Sequence, residues 1–149
     1  MEKIREVVIE EAEKLLDKVG IIGEVSVEEA DGSFMVNVDT EENALLIGKH
    51  GNTLSSFENV LSLIVSKKIG EFTRVTVEVG GYRKEREDYL SSLALRLKDE
   101  VLETGIEKTV RGLKPWERRV VHLVLSEENG IETESTGEGR DRVLVIKRK

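Results

Sequence analysis

The side chains best suited to do chemistry in this sequence are cationic, and they fall in two short stretches. The first is Gly48-Lys49-His50-Gly51, preceded by Ile47 and followed by Asn52 and Thr53. Two glycines around two cations, ahead of a helical pattern, suit a backbone phosphate. Without Cβ atoms a sugar-phosphate chain can approach the main chain, and the N–H groups and dipole of a helix N-terminus favour an anion. Asn52 or Thr53 is expected to cap that helix. The second stretch is Leu113-Lys114-Pro115-Trp116-Glu117-Arg118-Arg119-Val120-Val121-His122. Arg118 and His122 lie one helical turn apart, and Lys114 extends the line by another turn. A guanidinium binds phosphate through a planar fork and stacks on a base, and an imidazole can stack or donate a hydrogen bond. Such a pair suits a single strand, whose bases are open to stacking and whose backbone needs neutralising. The alternative is an Arg–His pair that only organises its own domain, with Arg118 bonded to an acidic neighbour.

Catalysis finds little support in the same residues. The two histidines stand far apart in the chain, cysteine is absent, and no His-Glu-x-x-His spacing occurs. No catalytic residue, metal ligand or cofactor is therefore expected. Glu41-Glu42 and Glu127-Glu128 are adjacent carboxylates that point different ways and read as solvated surface. Gly137-Glu138-Gly139 follows a strand but precedes no helix, which argues against a dinucleotide site.

The elements that must position these residues follow from periodicity. With 13 glycines in the chain, a bare Gly-x-x-Gly is expected roughly once by chance. A second copy, Gly20-Ile21-Ile22-Gly23, ends the first helix and enters a strand, and carries no charge between its glycines. Residues 2–19 read as a helix with Ile4, Val8, Leu15 and Val19 inward and Glu10, Glu11, Glu13 and Lys14 outward. Residues 24–30 and 33–39 alternate around Val25, Val27, Phe34, Val36 and Val38, with a hairpin signal at Asp31-Gly32. Residues 41–68 give a short apolar helix, the Gly48 loop, and a longer helix striped by Leu54, Phe57, Leu61, Ile64 and Val65. Residues 74–79 alternate again, and Gly80-Gly81 marks a boundary between domains 1–80 and 81–149.

Beyond it, residues 82–103 read as a helix striped by Leu90, Leu93, Ala94, Leu97 and Val101. Its first turns carry Arg83, Lys84 and Arg86, with Arg83–Glu87 and Lys84–Asp88 at ion-pair spacing; an ion-paired helix face is the expected reading and phosphate contact the alternative. A short strand over 107–112 and a helix from Pro115 to 125 follow, the latter with Trp116, Val120, Leu123 and Val124 as its apolar face. Residues 131–136 and 142–146 read as closing strands around a turn that carries Arg140. The class is α+β: two small domains, each a three-stranded sheet packed by helices.

Composition sets limits on partners. The 36% of charged residues give a heavily solvated surface, and no apolar run approaches the ~20 residues needed to span a bilayer. The acidic, amphipathic N-terminus is not a signal peptide, and with no cysteine the expected location is cytoplasmic. The net charge of −7 is uneven. Residues 1–80 hold 8 Lys+Arg against 16 Asp+Glu, and residues 81–149 hold 15 against 14. Any nucleic-acid contact must rest on local basic patches.

The order helix, strand, strand, helix, Gly-x-x-Gly, helix, strand resembles a type II KH domain. The stretch Glu117-Arg118-Arg119-Val120-Val121-His122, with residues 132–146 after it, resembles the R-three-H domain, named for an Arg and a His separated by three residues. In tandem they resemble the bacterial Jag (SpoIIIJ-associated) family across nearly the whole chain. Members commonly carry an additional N-terminal domain and linker, which this sequence does not show. His50 stands where a second Arg or Lys is frequent in the clamp. The resemblance implies binding of single-stranded RNA, with single-stranded DNA the alternative. Ile47, Gly48, Lys49, His50, Gly51 and Asn52 would hold backbone, Ile47 and Val36 would line a groove for bases, and Lys114, Arg118, His122 and Arg140 would hold adjoining nucleotides. It also implies post-transcriptional control, a link to cell-envelope growth, and a small single-KH protein as partner. A homodimer through the exposed third strand is a further expectation. The competing reading is a protein-interaction adaptor whose KH half has lost RNA binding.

Overall fold

The computed structural model describes residues 2–149, which gather into two compact units that divide between Tyr82 and Arg83. The first unit runs α1 (Glu2–Val19), β1 (Gly23–Ala30), β2 (Ser33–Thr40), α2 (Asn43–Ile47), a 3-10 turn (Lys49–Gly51), α3 (Asn52–Ile69) and β3 (Val75–Val79). Asp31 and Gly32 join β1 to β2 with left-handed φ values of 51° and 77°, the two-residue turn that suits strand twist. β3 lies parallel to β2, placing Phe34 opposite Val75 and Val38 opposite Val79. A parallel neighbour needs a crossover, and α2 and α3 supply it. The alternating residues Phe34, Val36, Val38, Val75, Val77 and Val79 then bury against Val8, Ala12 and Leu16 of α1 and Leu54, Phe57, Leu61 and Val65 of α3.

Three details depart from expectation. Leu16 is buried and Val19 is 48% exposed, because the inward stripe of α1 is Val8, Glu11, Ala12 and Leu16. Glu11 takes a core position by pairing: its Oε1 lies 2.6 Å from Lys68 Nζ and 3.6 Å from Lys14 Nζ. The hydrogen bond from Lys68 holds the Glu11 carboxyl below the usual carboxylate range, against the opposing effect of burial and with further help from Lys14. The outer edge of β3 is also occupied. The Val77 N–H donates to Glu58 Oε2 at 2.9 Å, and Ser62 Oγ donates to the Val75 carbonyl at 2.9 Å. Strand addition at β3, the expected route to a homodimer, would have to displace these α3 side chains.

The second unit runs α4 (Tyr82–Thr104, its first residue packing with the first unit), β4 (Lys108–Val110), α5 (Pro115–Ser126), β5 (Ile131–Thr136), a 3-10 turn (Gly139–Asp141) and β6 (Val143–Arg148). β6 is central and antiparallel to both neighbours, with Val110 and Ser135 both opposite Leu144. Leu90, Ala94 and Val101 of α4 meet Val121 and Leu125 of α5 over Ile131, Leu144 and Ile146. The inward face of α5 is therefore Glu117, Val121 and Leu125, whereas Leu123 is 58% exposed. With a charged residue at the head of the stripe, the buried face lies about a third of a turn from the expected apolar one.

Because the folded Glu11 carboxyl is depressed, its contribution to stability is complete above the unfolded carboxylate value. It is lost as pH falls through that value towards the folded one. Glu11→Gln should flatten the acid limb of a calorimetric melting profile. Lys68→Met should cost about 1 kcal/mol at neutral pH, less than a fully buried pair because Lys68 is half in solvent. An acid limb unchanged in Glu11→Gln would assign it to another group.

Candidate nucleic-acid interface

The Gly48 loop joins α2 to α3. Three of its four residues have left-handed φ: Gly48 at 72°, His50 at 54° and Gly51 at 74°. The Gly48 N–H donates to the Ala44 carbonyl at 2.9 Å, and the Gly51 N–H to the Gly48 carbonyl at 3.3 Å. A Cβ on Gly48 would lie 2.1 Å from Thr53 Oγ1, and one on Gly51 would lie 2.7 Å from Tyr82 Oη. Both bare positions thus face the protein, and glycine is required by backbone conformation and inward packing rather than by room for a ligand. Lys49, His50 and Asn52 are exposed.

Two expectations here need correction. Asn52 is the first helical residue (φ −65°, ψ −41°) and the N-cap position is Gly51, so no side chain caps α3. Val36 is fully buried under α1 and α3 and offers no surface to a base, whereas Ile47 is half-buried beside the loop.

In the second unit Pro115 opens α5 at a position that needs no N–H. Lys114 precedes it in extended conformation, so it stands outside the helix and only Arg118 and His122 share a helical line. Glu117, 1% exposed, holds the helix start: Oε1 accepts the Lys114 N–H at 2.8 Å and Oε2 accepts Arg86 Nε from α4. Arg118 Nη1 donates to the Leu113 carbonyl at 2.7 Å, rather than to an acidic neighbour, and His122 Nδ1 is hydrogen-bonded to Thr133 Oγ1 on β5.

Arg118 and His122 face an open concavity of about 300 Å³, lined also by Pro115, Arg119, Ser135 and Arg142. Arg142 Nη1 donates to the Gly137 carbonyl at 3.1 Å, which orients it there. Arg140 lies exposed in the turn two residues earlier. Sequence reasoning missed Arg119 and Arg142. Arg119 was legible, three residues before His122 on the same face; Arg142 needed the β5–β6 register. It missed the pairing of Arg86 with Glu117 as well, because only the fold brings α4 to the start of α5. Among the described residues no His, Asp and Glu cluster is arranged to hold a metal ion, and no helix is long and apolar enough to cross a membrane.

A type II KH fold with a Gly-x-x-Gly loop, and a second α/β unit with an Arg-xxx-His concavity, define a chain with KH and R-three-H domains in tandem. Comparison with known proteins agrees: the KhpA/KhpB KH domain matches residues 5–79, and the R-three-H domain matches residues 88–148. The chain belongs to the KhpB/Jag family. It is 37% identical to the RNA-binding protein KhpB of Bacillus subtilis over 85% of this chain and 62% of that protein. It is 31% identical to the RNA-binding protein KhpB of Clostridium symbiosum over 99% of this chain and 68% of that protein. The chain thus spans about two thirds of the length of these relatives.

The partners of Glu117 and Arg118 separate structural from surface roles. Glu117→Ala should cost about 2–3 kcal/mol, since it leaves the half-buried Arg86 without its carboxylate and frees the helix start. Arg118→Ala, losing one bond to a carbonyl, should cost about 1 kcal/mol or less in urea denaturation. Equal losses would make Arg118 a structural residue.

Proposed function

We propose that this chain binds single-stranded RNA through the two sites and performs no catalysis. The observation that carries the reading is that a net acidic chain places cations at two local surfaces, the Gly48 loop and the Arg118–His122 concavity. The names of its relatives support it. Lys49, His50 and Asn52 hold the backbone of an unpaired segment at the start of α3, with Ile47 beside them and Gly48 and Gly51 setting the shape of the loop. Arg118 and His122, with Lys114 and Arg140 at the margins and Arg119 and Arg142 inside the concavity, hold further nucleotides. The working division falls at Gly80-Gly81, with residues 1–80 and 81–149 each carrying one site. Two weak sites on one chain gain affinity through effective concentration when one strand engages both.

Family resemblance extends this reading to post-transcriptional control in the cytoplasm, a link to cell-envelope growth, and a small single-KH protein or a second copy as partner. Single-stranded DNA is the competing ligand to include in assays.

Fluorescence anisotropy with a labelled RNA tests the reading. Affinity should fall steeply with salt, by about 0.7 logarithmic units per tenfold salt for each phosphate neutralised. Lys49→Asp with His50→Asp should weaken binding at least tenfold, about 1.4 kcal/mol, and leave the melting profile unchanged because both side chains are exposed. Arg118→Ala should weaken it independently. Wild-type affinity in the double variant would retire the clamp, and no RNA binding at low salt would favour the adaptor reading.

A further inference from the structure

The second unit fills its core with Leu, Ile, Val and Ala alone. Its two aromatic residues, Tyr89 and Trp116, lie outside that core. Trp116 is half-buried and Tyr89 is 55% exposed, and a guanidinium covers each ring. The Arg83 guanidinium is 5.5 Å from the centre of Trp116, and that of Arg86 is 5.2 Å from the centre of Tyr89. Arg86 is fixed by Glu117, so its place is explained by the fold. Around α5 Trp116 lies roughly 60° from Arg119, and it directly follows Pro115; both of those residues line the concavity. The ring therefore lies outside the concavity, on the side of α5 next to the one that Arg119 occupies, with Arg83 over it.

We propose that Trp116 is a stacking platform for a nucleobase, extending the Arg118–His122 site by one nucleotide, with Arg83 over the ring as the cation for the neighbouring phosphate. The proposal rests on the RNA-binding reading. A flat ring beside guanidinium groups recognises any base, since every base offers a π-face and the cations neutralise its backbone. An acidic peptide would use the cations but would bring no plane to lie on the indole.

Trp116 is the single tryptophan, so its emission reports on this ring alone. Titrating the full chain with an unlabelled twelve-nucleotide oligouridylate should quench that emission. An abasic ribose-phosphate oligomer of equal length should leave it unquenched when bound. In anisotropy, Trp116→Leu should lose at least about fivefold in affinity, and Trp116→Tyr should stay within about twofold of wild type. If Trp116→Leu unfolds the second unit, the comparison of oligomers on wild-type protein still decides. Equal quenching by the abasic oligomer, or RNA binding in anisotropy without quenching, would overturn the platform and leave the RNA reading standing. No RNA binding at low salt would overturn both. Quenching by polyglutamate and not by RNA would reassign the ring to a protein partner.

Discussion

A carboxylate removed from water is tolerated only when cations or N–H groups replace its solvation. Two occur among the described residues, one in each unit: Glu11 at 6% exposure and Glu117 at 1%. Each reaches to a different helix for its partner. Glu11 on α1 takes Lys68 from the last turn of α3, and Glu117 on α5 takes Arg86 from α4. Such a pair selects one rotational setting of the helices, because any other leaves a charge uncompensated. Those helices are the ones that carry the candidate sites. The opposite end of α3 begins at the Gly48 loop, and the next residue after Glu117 is Arg118.

The use made of the other cations follows the same division. Lys14, Lys98 and Lys147 pair with carboxylates, and each ammonium is held above the usual lysine range mainly by its bond to Glu10, Asp99 or Glu134. Charge paired in this way has little to offer a polyanion. Arg118 and Arg142 are oriented differently: their hydrogen bonds run to the carbonyls of Leu113 and Gly137. A carbonyl fixes the direction of a guanidinium without cancelling its charge. That distinction allows a chain of net charge −7 to present a cationic concavity.

Much of this was legible from sequence. Alternating Phe34, Val36 and Val38, the Asp31-Gly32 turn, and the glycine-flanked Lys49-His50 gave the first unit because strand period, hairpin chemistry and helix stripe agree with one another there. Gly20 ends α1 with its own N–H on the Asp17 carbonyl and that of Ile21 on Leu16, as the uncharged Gly-x-x-Gly copy suggested. The two misassigned helix faces share one cause. Hydrophobic periodicity assumes that inward positions are apolar, and Glu11 and Glu117 are inward by virtue of partners that are distant in sequence. Their presence shifted the inferred faces, leaving Val19 and Leu123 on the wrong side. Val36 was misplaced for the converse reason: an alternating strand says which residues share a face, but not that helices cover that face.

The loop at Gly48 shows what a candidate site gains from being held in advance. His50 occupies the left-handed region without being glycine, at a cost of about 1–2 kcal/mol that surrounding contacts must offset. The contacts are present. Gly48 is tied to Ala44, Gly51 is tied to Gly48, and Thr53 and Tyr82 fill the space beneath the two glycines. A main chain fixed before any nucleotide arrives loses less freedom on binding than a loop that must order itself. Tyr82 is also the first residue of α4, immediately after Gly80-Gly81. Part of the support for this loop therefore lies in the chain beyond the last strand of the KH sheet. A fragment ending at residue 80 would keep every strand and helix of that sheet yet lose the ring against which Gly51 rests.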